Sequence, residues 1–270
     1  MELSIDAGDV RLPATLSLPA GRPRAGLVVL HGAEAGERSH SLYEHLATLL
    51  PPQGIAVLRY DRRGTDVPLD VQVADGDAAL RELRRYAGDT VGLWGWSQGG
   101  WVGALAATRL PLAFLVVVAA PGVTPAAQMR YGTAEQLRRN GFTDARELIE
   151  LRTAYEDHLR GLRGPAETQA VIDAVADRPW FPLSYVPRYL TDDLRWPDFD
   201  FDPAPVFAAV PCPVLAFYGD QDDWTPVEPS IRAWGQRARI ERLPGCGHEP
   251  IRRDGSVSPR YTEALLDFLS

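Results

Sequence analysis

Val91-Gly92-Leu93-Trp94-Gly95-Trp96-Ser97-Gln98-Gly99-Gly100 leads from a short apolar run into an alanine-rich segment ending at Thr108. An apolar run of strand length, a glycine-bounded turn and a helix-forming tail read as strand, tight turn, helix. In that geometry the serine hydroxyl is pushed out of the sheet, and the small residues at 95 and 99 let the turn close. Gly95-x-Ser97-x-Gly99 therefore presents a nucleophile at the C-terminal end of a strand. A glycine-rich turn with an N-capping serine would carry the same five residues, so the flanking strand and helix bear the weight of the reading.

Working outward, the same rhythm recurs on both sides. Ala25 to Leu30 is a continuous apolar run closed by His31-Gly32, and Ser39 to Leu50 follows with Leu42, His45, Leu46 and Leu49 at helical spacing. Ile55 to Tyr60 ends in Asp61-Arg62-Arg63-Gly64 and precedes a helix over 71–86. Phe114 to Ala119 is a further buried strand. Before them, residues 3–5 and 14–18 form an antiparallel edge hairpin. Such alternation builds a mostly parallel sheet, here of eight strands, covered by helices on both faces, with ligands at the C-terminal strand ends. Past Pro121 the rhythm breaks. Residues 134–139, 144–162 and 167–176 read as helices, and 177–205 is rich in Pro and aromatic residues without strand periodicity. The α/β core is thus expected at 1–122 and 206–270, with a helical cap inserted at 123–205. Strands at 214–218 and 240–243 and helices at 227–236 and 259–269 complete the chain.

Composition narrows the function classes. The 270 residues include 28 cationic side chains, all arginine, against 36 acidic ones, a net charge of -8 that opposes binding to a phosphate backbone. The start Met1-Glu2-Leu3-Ser4-Ile5-Asp6 has neither a basic end nor a signal-length apolar core, and the longest apolar run is too short for a bilayer, so the expectation is a cytoplasmic protein with no nucleic acid or membrane partner. Cys212 and Cys246 fall at opposite ends of neighbouring strands and are expected to be free thiols. No metal-ligand spacing occurs, so no metal or cofactor is expected. Monomer and homodimer are both compatible with the sequence.

A serine hydroxyl needs a base, and the base needs an orienting acid. Two later strand ends supply them. Gly219-Asp220-Gln221-Asp222-Asp223-Trp224-Thr225-Pro226 follows one strand and offers three carboxylates. Pro244-Gly245-Cys246-Gly247-His248 follows another, with an imidazole in a glycine-flanked loop. Nucleophile, acid and base then run in the order Ser, Asp, His, each after a strand. His31 precedes the serine, and His40, His45 and His158 fall on or beside helices, which leaves His248 as the base.

On these residues the chain resembles an α/β-hydrolase, and more narrowly a bacterial carboxylesterase-type serine hydrolase with a helical cap. The likeness rests on His31-Gly32, Asp61-Arg62-Arg63-Gly64, Gly-Trp-Ser-Gln-Gly-Gly at 95–100, Gly219-x-x-Asp222-x-x-x-Pro226 and Gly247-His248. It departs from the common pattern at Thr65-Asp66-Val67-Pro68. The resemblance selects Asp222 as the acid, with Asp220 and Asp223 as alternatives. It implies an oxyanion hole from the backbone N–H of Gln98 and of Ala33 or Glu34. It also implies a substrate pocket, for which Trp96, Glu34, Trp180, Tyr185 and Trp224 are candidates, with Trp101, Phe181 and Trp196 as further aromatic residues. The expected activity is hydrolysis of a small-molecule ester or thioester through an acyl-enzyme on Ser97. Alternatives are amide, peptide or carbon–carbon bond cleavage with the same residues, or a catalytically silent binding protein.

Overall fold

The computed structural model describes residues 1–33, 36–64, 67–142, 146–191 and 195–270. Strands β1 (Glu2–Asp6), β2 (Arg11–Ser17), β3 (Ala25–Leu30), β4 (Ile55–Tyr60), β5 (Val91–Trp96), β6 (Leu115–Val118), β7 (Val214–Gly219) and β8 (Ala238–Leu243) form one sheet in the order β1-β2-β4-β3-β5-β6-β7-β8. The β1–β2 and β2–β4 pairs are antiparallel and the rest are parallel, so the edge hairpin and parallel core read from the sequence are both present.

The continuous apolar runs explain why the core strands sit where they do. β3 and β7 are buried at every position, because helices cover both faces. On one side α2 (Leu69–Ala87), α3 (Gln98–Arg109), α7 (Pro203–Ala209) and α8 (Val227–Trp234) contribute Leu80, Leu83, Val102, Ala106, Phe207 and Trp234. On the other, α1 (Ser41–Leu49) and α9 (Pro259–Phe268) contribute Leu42, Tyr43, Leu46, Tyr261 and Leu265. Burial of these side chains is the main stabilising term, at about 25 cal/mol per Å² of apolar surface removed from water. Crossing from one covered face to the other aligns the C-terminal ends of β3, β5, β7 and β8 along one edge, which is where His31, Ser97, Asp220–Asp223 and His248 lie.

Between β6 and β7 the chain forms α4 (Pro125–Arg139), α5 (Arg146–Leu159), α6 (Pro165–Val175) and a short 3-10 turn at Phe181–Ser184. These elements have an interior of their own, in which Leu137, Leu148, Leu151, Ile172, Val175 and Trp180 pack together. A buried carboxylate ties α4 to α5: Glu156 accepts from Arg130 Nε at 2.9 Å and from Arg152 Nη2 at 3.1 Å.

Two elements differ from the sequence expectation. α4 starts at Pro125, well before 134, because Thr124 caps it by accepting from the Ala127 N–H at 3.1 Å and Pro125 occupies the first turn. Gln128, Arg130 and Gly132 conceal that turn from a hydrophobic-period reading. α7 begins at the end of the Pro-rich stretch assigned no element and runs beyond it to Ala209; Asp202 caps it, and Phe207 stacks on Trp234 with centroids 3.8 Å apart. Tertiary stacking outweighs the weak local propensity of Pro-Ala-Pro-Val. Cys212 and Cys246 are free. No helix among the described residues is long and apolar enough to cross a membrane.

Candidate active site

Ser97 occupies the junction of β5 and α3 with φ 53° and ψ -116°, a conformation that side-chain-bearing residues rarely adopt. Close packing holds it there. A Cβ on Gly95 would overlap the Gly99 carbonyl, and one on Gly99 would sit 2.7 Å from the Leu30 carbonyl oxygen, so both glycines are required by backbone approach. The Ser97 N–H donates to the Val118 carbonyl at 2.8 Å, which pins the turn to β6.

Of the three loop carboxylates, Asp222 faces His248. Its Oδ1 and Oδ2 lie 3.2 and 3.0 Å from His248 Nδ1. Oδ1 also accepts from the Trp224 and Thr225 N–H groups, both at 2.8 Å, which fixes the carboxylate within its loop. Asp220 instead accepts from the Gly245 N–H at 2.8 Å, and Asp223 is taken up by α4. The tautomer of His248 follows from its partners. Thr225 Oγ1 donates to the Ala119 carbonyl at 3.1 Å and so meets His248 Nδ1, 3.3 Å away, as an acceptor. With a carboxylate and a hydroxyl oxygen both accepting, Nδ1 carries a proton, and in the neutral ring the lone pair is then on Nε2.

Ser97 and His248 line one cavity of about 430 Å³. Among the described residues no hydrogen bond joins Ser97 Oγ to the imidazole; in unliganded sites such contacts often tighten when substrate binds. Trp96 bridges His248 and the loop after β3. Its indole N–H donates to the His248 carbonyl at 3.0 Å, and its ring lies so close to Gly32 that a Cβ there would come within 2.7 Å of it.

The loop after β3 is built around a neutral histidine. His31 Nε2–H donates to the Tyr60 carbonyl at 2.6 Å, and burial pulls its pKa down to about 4. The Gly32 N–H is taken by the Tyr43 hydroxyl at 3.2 Å. By contrast, the N–H groups of Ala33 and Gln98 donate to no protein acceptor among the described residues, and both residues line the cavity. Arg62 holds this corner together: it donates to the Gly32 carbonyl at 3.1 Å, to the Gln98 side-chain oxygen at 3.2 Å and to the Ala33 carbonyl.

The cavity walls include the expected Trp96, Tyr185 and Trp224, and also Trp101, Trp196, Gln128 and Met129. Trp180 is a correction. It is 8% exposed and packs with Leu148 and Ile172 in the apolar interior of the helical segment, away from the cavity. Glu34 lies outside the described residues. Sequence reasoning assigned no role to Thr225, Arg62, Gln128 or Met129. The first sits in the quoted loop and Arg62 in a quoted motif, so a signal existed for both, whereas Gln128 and Met129 lie in the unrecognised first turns of α4. No group of three or more His, Cys, Asp or Glu that could hold a metal occurs among the described residues.

A family model described as "Alpha/beta hydrolase family" matches residues 27–257. The chain belongs to the alpha/beta hydrolase family. Several solved structures of comparable fold cover nearly all of it. A proline iminopeptidase from Mycobacterium smegmatis is 19% identical, with 100% of this chain and 97% of that one covered and a TM-score of 0.64. Est1E from Butyrivibrio proteoclasticus is 18% identical, with 99% and 97% covered and a TM-score of 0.63. An esterase from Pyrococcus furiosus is 15% identical, with 100% and 89% covered and a TM-score of 0.65. At these identities the likeness is one of fold. No curated protein matches the chain. Membership of the alpha/beta hydrolase family supports hydrolase activity, and the choice of bond rests on the site.

Proposed function

We propose that the protein is a serine hydrolase that cleaves a carboxylic ester or thioester of an apolar or aromatic acid, with Ser97 as nucleophile, His248 as general base and Asp222 orienting it. The observation that carries this reading is the state of His248: Nδ1–H is held by Asp222 and Thr225, and the ring shares a cavity with a serine strained into the turn between β5 and α3. Ser97 Oγ attacks the carbonyl carbon while Nε2 takes its proton. The free N–H groups of Gln98, at the positive end of α3, and of Ala33 receive the oxyanion. Collapse expels the alcohol or thiol, protonated by His248, and water repeats the sequence on the acyl-enzyme to release the acid.

The aromatic walls support an apolar or aromatic acyl or alcohol group, and Est1E, similar in fold, has been solved with ferulic acid bound. A cap role for the helices between β6 and β7 fits the same picture, since Met129, Tyr185 and Trp196 reach the cavity from that segment. Amide cleavage by the same residues is the second reading, favoured by the fold likeness to a proline iminopeptidase. A fluorophosphonate probe tests the mechanism: one stoichiometric adduct on Ser97, lost in His248→Ala, is expected, and its absence from the folded wild-type protein would count for a silent binding protein. Paired ester, thioester and anilide substrates with one acyl group then rank the bonds.

A further inference from the structure

The loop that carries Asp222 is secured at two levels. Its base is tied to the His248 loop, through Gln221 N–H to the Cys246 carbonyl at 3.0 Å and Gly245 N–H to Asp220 at 2.8 Å. Its crest is held from outside the sheet by one face of α4. Arg139 donates to Asp223 Oδ2 at 2.8 Å and to the Gln221 carbonyl at 3.1 Å. Gln136 Nε2 donates to the same Asp223 oxygen at 2.9 Å, and the Tyr131 hydroxyl donates to the Asp222 carbonyl at 3.2 Å. Gly132 lies flat against the Trp224 ring, which a Cβ would overlap. Positions 132, 136 and 139 follow the helical spacing of a single face, with Tyr131 beside it. The contacts bracket the acid on every side: the carbonyl before it, its own carbonyl, the carboxylate after it and the ring beyond.

We propose that α4 is the positioning element for Asp222, with Arg139 and Gln136 acting through Asp223 as positioning residues that keep the acid aligned on His248 Nδ1. The ion pair is partly open to water, with side-chain exposures of 42% for Arg139 and 22% for Asp223, a setting in which such pairs add little to global stability. Its effect therefore falls on geometry, where a displacement of an ångström slows chemistry far more than it unfolds a protein. The inference rests on the serine-hydrolase reading for its kinetic readout, and a second readout is independent of it.

The test compares Arg139→Met, Asp223→Asn, their double variant and Arg139→Lys, with Arg138→Met as control, since Arg138 pairs with Glu135 on its own helix. Two quantities are read: the fluorophosphonate labelling rate of Ser97, and the downfield proton resonance of His248 Nδ1–H in the unliganded protein. Each single variant is expected to slow labelling about tenfold and to shift or broaden the resonance, the double variant to be no slower than the singles, Arg139→Lys to recover part of both, and Arg138→Met to match wild type. Wild-type labelling with an unmoved resonance in both single variants would overturn the proposal, as would losses that simply add in the double variant. Should Arg139→Met fail to fold, Gln136→Leu with Asp223→Asn carries the same readouts. Should wild-type Ser97 not label at all, the hydrolase reading falls, and the resonance alone decides the role of α4.

Discussion

On one wall of the cavity, Ser97, Gln98, Ala33 and His248 follow strands of the parallel sheet; the positive φ of Ser97 and the close approach of Gly95 to Gly99 set the turn by main chain, and the neutral His31 against Tyr60 shapes the loop that leads to Ala33. The opposite wall, with Met129 of α4 and Tyr185 and Trp196 of the connecting chain, comes from a segment whose order depends on small side-chain cores of its own. The comparison teaches a division of labour. The groups proposed to act on the reacting atoms sit in a turn and loops anchored on the buried sheet, and those proposed to meet the rest of a substrate are held by side-chain packing that tolerates change.

The sharpest way to break this division is Ser97→Ala. Turnover and fluorophosphonate labelling should fall by about four to six orders of magnitude with the thermal midpoint near that of wild type or above it, because the strained turn needs no hydroxyl; an unchanged rate would place the chemistry elsewhere. Gly95→Ala should instead act on the fold. Overlap with the Gly99 carbonyl is expected to cost about 3 kcal/mol or more in denaturant unfolding, against under about 1 kcal/mol for an alanine at exposed Gly164, where a Cβ meets nothing.

Acid should weaken the sheet-side wall through His31. Its native pKa of about 4 lies below the ordinary 6.5, so between those values the unfolded chain binds a proton that the native state does not. The stabilisation is complete above pH 6.5 and lost as pH falls towards 4, by about 3 kcal/mol in total. Unfolding curves of wild type and His31→Gln at pH 7 and pH 4.5 measure it as the part of the pH dependence that disappears in the variant.

The smallest effect is expected on the helical wall. The Gln128 amide makes no hydrogen bond among the described residues and lines an otherwise largely apolar cavity. Gln128→Leu should shift the preference between a hydroxylated aryl ester and its unsubstituted analogue by about tenfold or less in kcat/KM, with the Ser97 labelling rate unchanged. An equal change for both esters would assign Gln128 to packing.

The legibility of the chain followed the range of the forces involved. The strand, turn and helix around Ser97 could be read because strand burial, the two glycines and the alanine tail act within a dozen residues. The loops bearing Asp222 and His248 could be located, and the resemblance selects Asp222, but local pattern alone does not separate three carboxylates in one loop: the tilt of the chain that turns Asp222 to His248, Asp220 to Gly245 and Asp223 to Arg139 depends on elements far away in sequence. Trp180 was assigned to the pocket and lies in an interior, and Met129 lies at the cavity in a helix turn that its polar neighbours concealed. Both residues fall where no strand period exists to say which way a side chain faces.

By itself, then, the sequence determined the parallel sheet, the order of its strand-end loops and the serine turn, since apolar periodicity and glycine placement are local constraints with few solutions. Tertiary structure alone decided how the three loop aspartates divide their partners, which N–H groups stay free beside the serine and which aromatic rings form the walls. Those outcomes depend on packing between segments that the chain order leaves far apart.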